Sequence, residues 1–285
     1  MTGALPRLLT IMGSGETSPT MVKVHRRLLS RLGPPPVPAV VLDTPFGFQE
    51  NADDLAGRAQ AYFRESVGAG IEVASWRSAA ASDGLGRASF LAQVGSARYV
   101  FAGPGSPSYA LRQWSGSGLP GVLADKLQTG GAVTFASAAA LTLGLATVPV
   151  YEIYKVGEPP HWLEGMDLLA EAGLSAAVIP HFNNAEGGNH DTRYCYLGER
   201  RLSAMEHELA GLAGSAGSAG GAFVLGVDEH TGLVLDLDAG SATVVGLGVV
   251  TVRAGGRSSE LASGSTVPIA ELRERAEGLR AGGGG

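Results

Sequence analysis

A serine breaks an amide bond when it sits on a sharp turn with its hydroxyl exposed and a base within reach. Ser137 has the local pattern for the first requirement. Gly130-Gly131-Ala132-Val133-Thr134-Phe135-Ala136 reads as a short buried strand, and Ala138-Ala139-Ala140 directly after the serine is a run of small helix formers. The backbone N–H groups that open a helix point partial positive charge at whatever such a serine attacks. The same residues also suit a plain helix–sheet packing seam, so the pattern needs partners before it means chemistry.

The first partner is a base. Pro180-His181-Phe182 follows the apolar run Ala176–Ile179, so His181 ends a strand. His25 and His207 fall inside helix-like segments, and His161 precedes one. His190 and His230 remain competitors. The second partner is an acid that orients the base. The strand-like run 222–227 ends at Asp228-Glu229. Two carboxylates at the end of a buried strand need partners, and an imidazolium would be one. Spacing alone leaves either carboxylate open.

The elements that must position these residues alternate between β-like and helix-like runs. Arg7–Met12, Ala39–Leu42, 71–75, 98–102, the Ser137 strand and Ala176–Ile179 read as strands. Segments 17–32, 51–67, 121–128 and 162–172 read as helices, and 33–38 as a proline-rich linker. This order predicts an α/β fold, a mostly parallel sheet flanked by helices. Near the C-terminus the runs 222–227, 233–236 and 243–252 read as antiparallel edge strands. Segment 211–221 reads as a low-complexity loop and 271–280 as a last helix. Ligands of such sheets lie beyond the carboxyl ends of the strands. Gly13-Ser14-Gly15-Glu16, Asp43-Thr44-Pro45, Gly103-Pro104-Gly105, Ser137 and His181 all converge there.

Composition narrows the class. With 285 residues and 45% hydrophobic content, the chain can build a sizeable core. It reads as a single domain over residues 1–281, with 282–285 as a disordered tail. A net charge of −6 argues against a nucleic-acid surface. No apolar run reaches membrane-spanning length, and no signal-type segment precedes the first strand. The expectation is a cytoplasmic protein. Cys195 is the one cysteine, which excludes an intrachain disulfide, and a buried structural thiol is its expected state.

Taken in order, these motifs resemble the dipeptidase E and cyanophycinase family of serine peptidases, which share the class I glutamine amidotransferase-like fold, a flavodoxin-like three-layer sandwich. The resemblance runs from about Leu8 to Val252. It rests on the strand ending at Gly13-Ser14-Gly15, on Phe101-Ala102-Gly103-Pro104-Gly105, and on Gly130-Gly131 leading to Ala136-Ser137-Ala138. Its last element is Pro180-His181-Phe182 with Gly226-Val227-Asp228-Glu229-His230-Thr231. It implies Ser137 as nucleophile, His181 as base and Glu229 as acid. The other carboxylate, Asp228, is then expected to cap the turn at Thr231, as Asp commonly does. The resemblance implies an oxyanion hole from the N–H of Ala138 and of Gly103 or Gly105, since Pro104 has no N–H. Phe135 and Ala139 stand where the family has glycines. The loop 183–194 replaces an arginine-rich segment of cyanophycinases. That polar, glycine-rich loop is expected to face the substrate through Asn183, Asn184, Glu186, His190 and Arg193, together with Glu16.

The implied activity is hydrolysis of a peptide or related amide bond in a small substrate through an acyl-enzyme. No cofactor, metal, nucleic acid or membrane is expected, and a homodimer is an allowed assembly. His181, Glu186, His190 and Asp191 lack the helical spacing of a metal site. Gly13-Ser14-Gly15 lacks a phosphate-binding fingerprint and reads as a tight turn. Segment 150–157 lines the pocket or packs as an edge. The alternative function is a catalytically silent domain of the same fold that binds a small metabolite or a protein partner.

Overall fold

The structure, a computed structural model, describes residues 4–81, 83–215 and 221–282. Short apolar runs form the strands of its main sheet: β1 (Arg7–Met12), β2 (Ala39–Leu42), β3 (Glu72–Ala74), β4 (Tyr99–Ala102) and β5 (Gly131–Ala136). These five are parallel, in the order β1-β5-β4-β2-β3. Their residues alternate between two cores because successive strand side chains point to opposite faces. Leu8, Met12, Val41, Phe101 and Ala136 pack under α1 (Val22–Arg31) and α2 (Ala52–Tyr62). Leu9, Ile11, Val100, Val133 and Phe135 face α3 (Gly84–Ser96), α4 (Pro107–Trp114) and α5 (Leu119–Thr129). The short helix α6 (Ser137–Leu141) leaves β5 directly.

Two small strands, β6 (Ala146–Thr147) and β7 (Leu163–Glu164), pair with each other. β8 (Ala176–Ile179) precedes helix α7 (Gly198–Ser215) and then β9 (Phe223–Val227). The chain closes with β10 (Thr231–Asp236), β11 (Ser241–Gly246), β12 (Val249–Ala254), β13 (Arg257–Ala262), β14 (Thr266–Pro268) and α8 (Ile269–Ala281). β10, β11 and β14 extend the main sheet antiparallel beyond β1. The molecule is thus α/β, with a mostly parallel central sheet flanked by helices and antiparallel edge strands. No helix among the described residues is long and apolar enough to cross a membrane.

Three local expectations change. The run 222–227 is no antiparallel edge of the main sheet: β9 pairs parallel with β8 inside a second sheet, ordered β13-β12-β9-β8. The run 243–252 is two strands in two sheets, broken after Gly246, whose φ of 101° turns the chain. Segment 162–172 is not one helix but β7 followed by a 3₁₀ turn at Leu168–Ala172. There the N–H groups of Gly165, Met166 and Asp167 bond to the carbonyls of Leu145, Thr142 and Gly144, leaving no helical ladder to form. The expected loop 211–221 begins as the end of α7; residues 216–220 of it, and 283–285 of the expected tail, lie outside the described residues.

The second sheet lies against the main one through Leu225, Val227, Val250 and Val252, and α7 covers its far face. The carboxyl ends of the two sheets meet at Gly13. Its N–H donates to the Thr231 carbonyl at 2.9 Å, and a Cβ there would lie 2.0 Å from the Asp228 carbonyl oxygen. Only glycine permits that approach.

Candidate active site

Ser137 is the first residue of α6 and has φ 51°, while Ala136 before it is still extended. A non-glycine residue in this left-handed region is strained, and the strain swings the hydroxyl away from the strand axis into the open corner. Phe135 does not crowd that corner. Its side chain is fully buried on the other side of the strand and packs against Trp114, with ring centroids 5.7 Å apart.

His181 follows β8 and also has a positive φ, 47°. Its carbonyl accepts the N–H groups of Asn184 (3.1 Å) and Cys195 (3.3 Å), so two points of the following loop hold the turn. Phe182 behind it lies on Gly226 of β9, where a Cβ would come within 2.4 Å of the ring. A side chain at position 226 would occupy the space the Phe182 ring fills. The parallel pairing of β8 with β9, Ile179 beside Gly226, sets the histidine next to the end of β9.

Ser137 Oγ lies 2.9 Å from His181 Nε2, and His181 Nδ1 lies 2.8 Å from Glu229 Oε1. A neutral imidazole with its proton on Nδ1 donates to the carboxylate and accepts from the serine hydroxyl. Both side chains are partly exposed, at 24% and 32%, so the three groups line an open site. Asp228 points elsewhere. It is buried, its Oδ2 accepts the Val249 N–H at 3.0 Å, and burial raises its pKa. The capping of Thr231 by Asp228 is therefore corrected: the Thr231 hydroxyl donates to the Glu229 carbonyl and accepts from the Gly248 N–H.

The Gly103-Pro104-Gly105 turn leaves β4 opposite this corner. The Gly103 carbonyl accepts the Ala139 N–H at 3.2 Å, which fixes the turn against the start of α6 and sets Gly103 near Ala138. Gly105 has φ 142° and runs against Pro45, whose carbonyl accepts the Ser106 N–H at 2.8 Å. The Ser106 side chain then caps α4 by accepting the Tyr109 N–H, with Pro107 at the first helical position.

The loop residues divide by what holds them. Asn183 Oδ1 accepts the Glu229 N–H at 2.9 Å, tying the loop after His181 to the backbone of the carboxylate residue. Asn184 is buried and its Oδ1 accepts the Glu186 N–H. Both carboxamide oxygens thus brace the loop. Glu186 accepts the Tyr196 hydroxyl at 2.7 Å, and Arg193 is gripped by both oxygens of Asp191. The His190 ring stacks on Tyr154 of segment 150–157, which also meets Tyr196, so that segment packs on the loop. His230 sits beside Ser18 and Thr20, and His25 is buried in the core. Glu16 is buried beside Gly103, and burial raises its pKa. Among the described residues, no group of three or more His, Cys, Asp or Glu could hold a metal ion.

Two features escaped the sequence reading. Tyr194, Cys195 and Tyr196 are three successive left-handed residues, at φ 60°, 54° and 67°. Beneath them Arg253, only 3% exposed, is bound by Glu199 and Glu206 and lies 5.3 Å from the Tyr194 ring centroid. An arginine inside the apolar run Val249–Ala254 was the signal available for the second. Nothing local signals the first.

Comparison with known proteins adds the fold. The sequence matches no protein-family profile and no curated protein. Solved structures do match. One is a peptidase from an acI-B1 actinobacterium, with a TM-score of 0.71 and 19% identity, over 93% of this chain and 98% of that one. Another carries the description "Putative Peptidase E Protein" and comes from Listeria monocytogenes. Its TM-score is 0.55 at 11% identity, over 85% of this chain and 99% of that one. This is a peptidase E-like fold.

Proposed function

We propose that the chain is a serine-type hydrolase that cleaves a peptide or related amide bond. The observation that carries this reading is the unbroken line from Ser137 Oγ through His181 to Glu229, at 2.9 and 2.8 Å, built on a left-handed serine at a strand–helix corner. Ser137 attacks the carbonyl carbon while His181 Nε2 takes its proton. Glu229 holds the imidazole in the tautomer this requires and stabilises the imidazolium that forms. The N–H of Ala138 and an N–H of the Gly103–Gly105 turn take the negative charge that develops on the carbonyl oxygen. His181 then gives its proton to the leaving amine. Water, activated by the same histidine, releases the acyl group.

The descriptions of the two similar structures support peptide bonds as the substrate class. The test is a fluorophosphonate probe on purified protein, read by mass spectrometry. Labelling at Ser137, lost in Ser137→Ala, is the expected result. A folded protein that takes no label would favour a silent binding domain instead.

A further inference from the structure

Around the histidine turn the backbone is left-handed at His181, with φ 47°, and again at Tyr194, Cys195 and Tyr196, with φ 60°, 54° and 67°. Such conformations in non-glycine residues persist only where their surroundings hold them. The two turns hold each other. The Tyr194 N–H donates to the Phe182 carbonyl at 3.0 Å, and the Cys195 N–H to that of His181 at 3.3 Å. The Tyr194 ring also packs on Phe182, with centroids 4.5 Å apart. The place of His181 therefore depends on the place of Tyr194.

Tyr194 is fixed in turn from the second sheet. Its hydroxyl donates to Glu199 Oε2 at 3.0 Å, and its ring centroid lies 5.3 Å from the Arg253 guanidinium. Arg253 grips both oxygens of Glu199 and donates from Nε to Glu206 Oε2 at 2.9 Å. This guanidinium holds the Glu199 carboxyl well below the usual carboxylate range, so the acceptor of the Tyr194 hydroxyl is ionised. Arg253 is buried and pairs with Val224, well back along β9 from Glu229. Its hydrogen bonds go to Glu199, Ser203 and Glu206, away from Ser137, His181 and Glu229. A buried arginine between carboxylates adds little stability over apolar residues of the same volume. What its planar fork supplies is fixed geometry.

We propose that Arg253 is a positioning residue for His181: through Glu199 it fixes Tyr194, and through Tyr194 it fixes the His181-Phe182 turn that aims the imidazole at Ser137. The second sheet thus sets the catalytic geometry from a distance. The consequence for rate rests on the serine-hydrolase reading; the consequence for the imidazole does not.

The test pairs Arg253→Lys with Glu199→Ala. The first keeps the charge and loses the fork. The second removes the middle contact and leaves Arg253 paired with Glu206, so no buried charge is stranded. In both, fluorophosphonate labelling of Ser137 is expected to slow by roughly 10- to 100-fold, the effect of a reacting group displaced by about 1 Å. The ring-nitrogen chemical shifts of His181, read by NMR, should move from the single tautomer protonated on Nδ1 toward a mixture. Glu199→Gln, whose amide oxygen still accepts the Tyr194 hydroxyl, should recover most of the rate. Tyr194→Phe deletes one oxygen and keeps the test open if the larger changes prevent folding. It should slow labelling by itself and add nothing in the Glu199→Ala background, because the two act in series. Parental labelling and ring-nitrogen shifts in folded Arg253→Lys or Glu199→Ala would overturn the proposal, even with a lowered melting temperature. So would Tyr194→Phe and Glu199→Ala effects that multiply. A parent protein that takes no label would remove the hydrolase reading alone; the His181 shifts would still decide whether Arg253 positions the ring.

Discussion

Ser137 and Cys195 are two nucleophile-type side chains on nearly the same backbone, with φ of 51° and 54°. Their surroundings differ in every other respect. Ser137 stands at an open strand–helix corner with an imidazole 2.9 Å from its oxygen. Cys195 is buried, and burial together with the nearby Glu229 carboxylate pushes its thiol up to about 12. A thiol in that state has almost no thiolate at neutral pH and is a poor nucleophile. The left-handed turn at Tyr194–Tyr196 instead serves as a support: the Cys195 N–H holds the His181 carbonyl, and the Tyr194 N–H holds that of Phe182. A strained backbone therefore marks a functional site without saying which side chain acts. What differs between the two turns is access and a proton acceptor.

Ser137→Ala gives the largest effect that would break this contrast. Loss of a triad nucleophile typically lowers turnover by about 10⁶-fold. Melting temperature should stay near the parental value, since the hydroxyl is at an open corner. Near-normal hydrolysis in the variant would remove Ser137 from the mechanism. Glu229→Gln comes next, with turnover lowered by roughly 10⁴-fold if it behaves as other triad acids do. Steady-state kinetics on a cleavable dipeptide would check it, and an unchanged rate would show that His181 needs no carboxylate partner.

The imidazoles sharpen the same contrast between an open and a buried group. His25 is fully buried, with Nδ1 2.7 Å from the Tyr99 hydroxyl and Nε2 2.7 Å from the Glu16 carbonyl. Burial lowers its pKa from 6.5 to about 4. The unfolded chain therefore binds a proton near pH 6.5 that the folded chain refuses. The stabilisation from keeping this ring neutral is complete above pH 6.5 and is lost as pH falls toward 4, by roughly 3 kcal/mol in all. Urea unfolding between pH 7 and 4 should show that slope, and His25→Gln should flatten it. An identical slope in the variant would assign it to other groups.

The smallest effect is expected at Cys195. Cys195→Ala should leave turnover close to parental, and iodoacetamide should fail to modify the native thiol until denaturant is added. Inactivation of the native protein by alkylation, matched by loss of turnover in Cys195→Ala, would reverse the roles of the two turns.

The parallel strands and the corner at Ser137 were legible in the chain because strands buried on both faces read as continuous apolar runs that end where polar chemistry begins. His181 was legible for the same reason. Helix α3, which starts Gly84-Leu85-Gly86, was not, because its glycines mask helical spacing and its start depends on the Asp83 side chain accepting the Gly86 N–H. Local spacing also left Asp228 and Glu229 equivalent, and only the family resemblance favoured Glu229. They are adjacent residues of one strand end, and local pattern says nothing of what lies opposite each. Tertiary structure separated them by bringing β12 within reach of one and the end of β8 within reach of the other. It likewise split the C-terminal strands between two sheets and buried Arg253 between Glu199 and Glu206. Periodicity records which face of an element is apolar. The partner of a polar group is set by the packing of segments distant in the chain, and that information exists only once the two sheets meet.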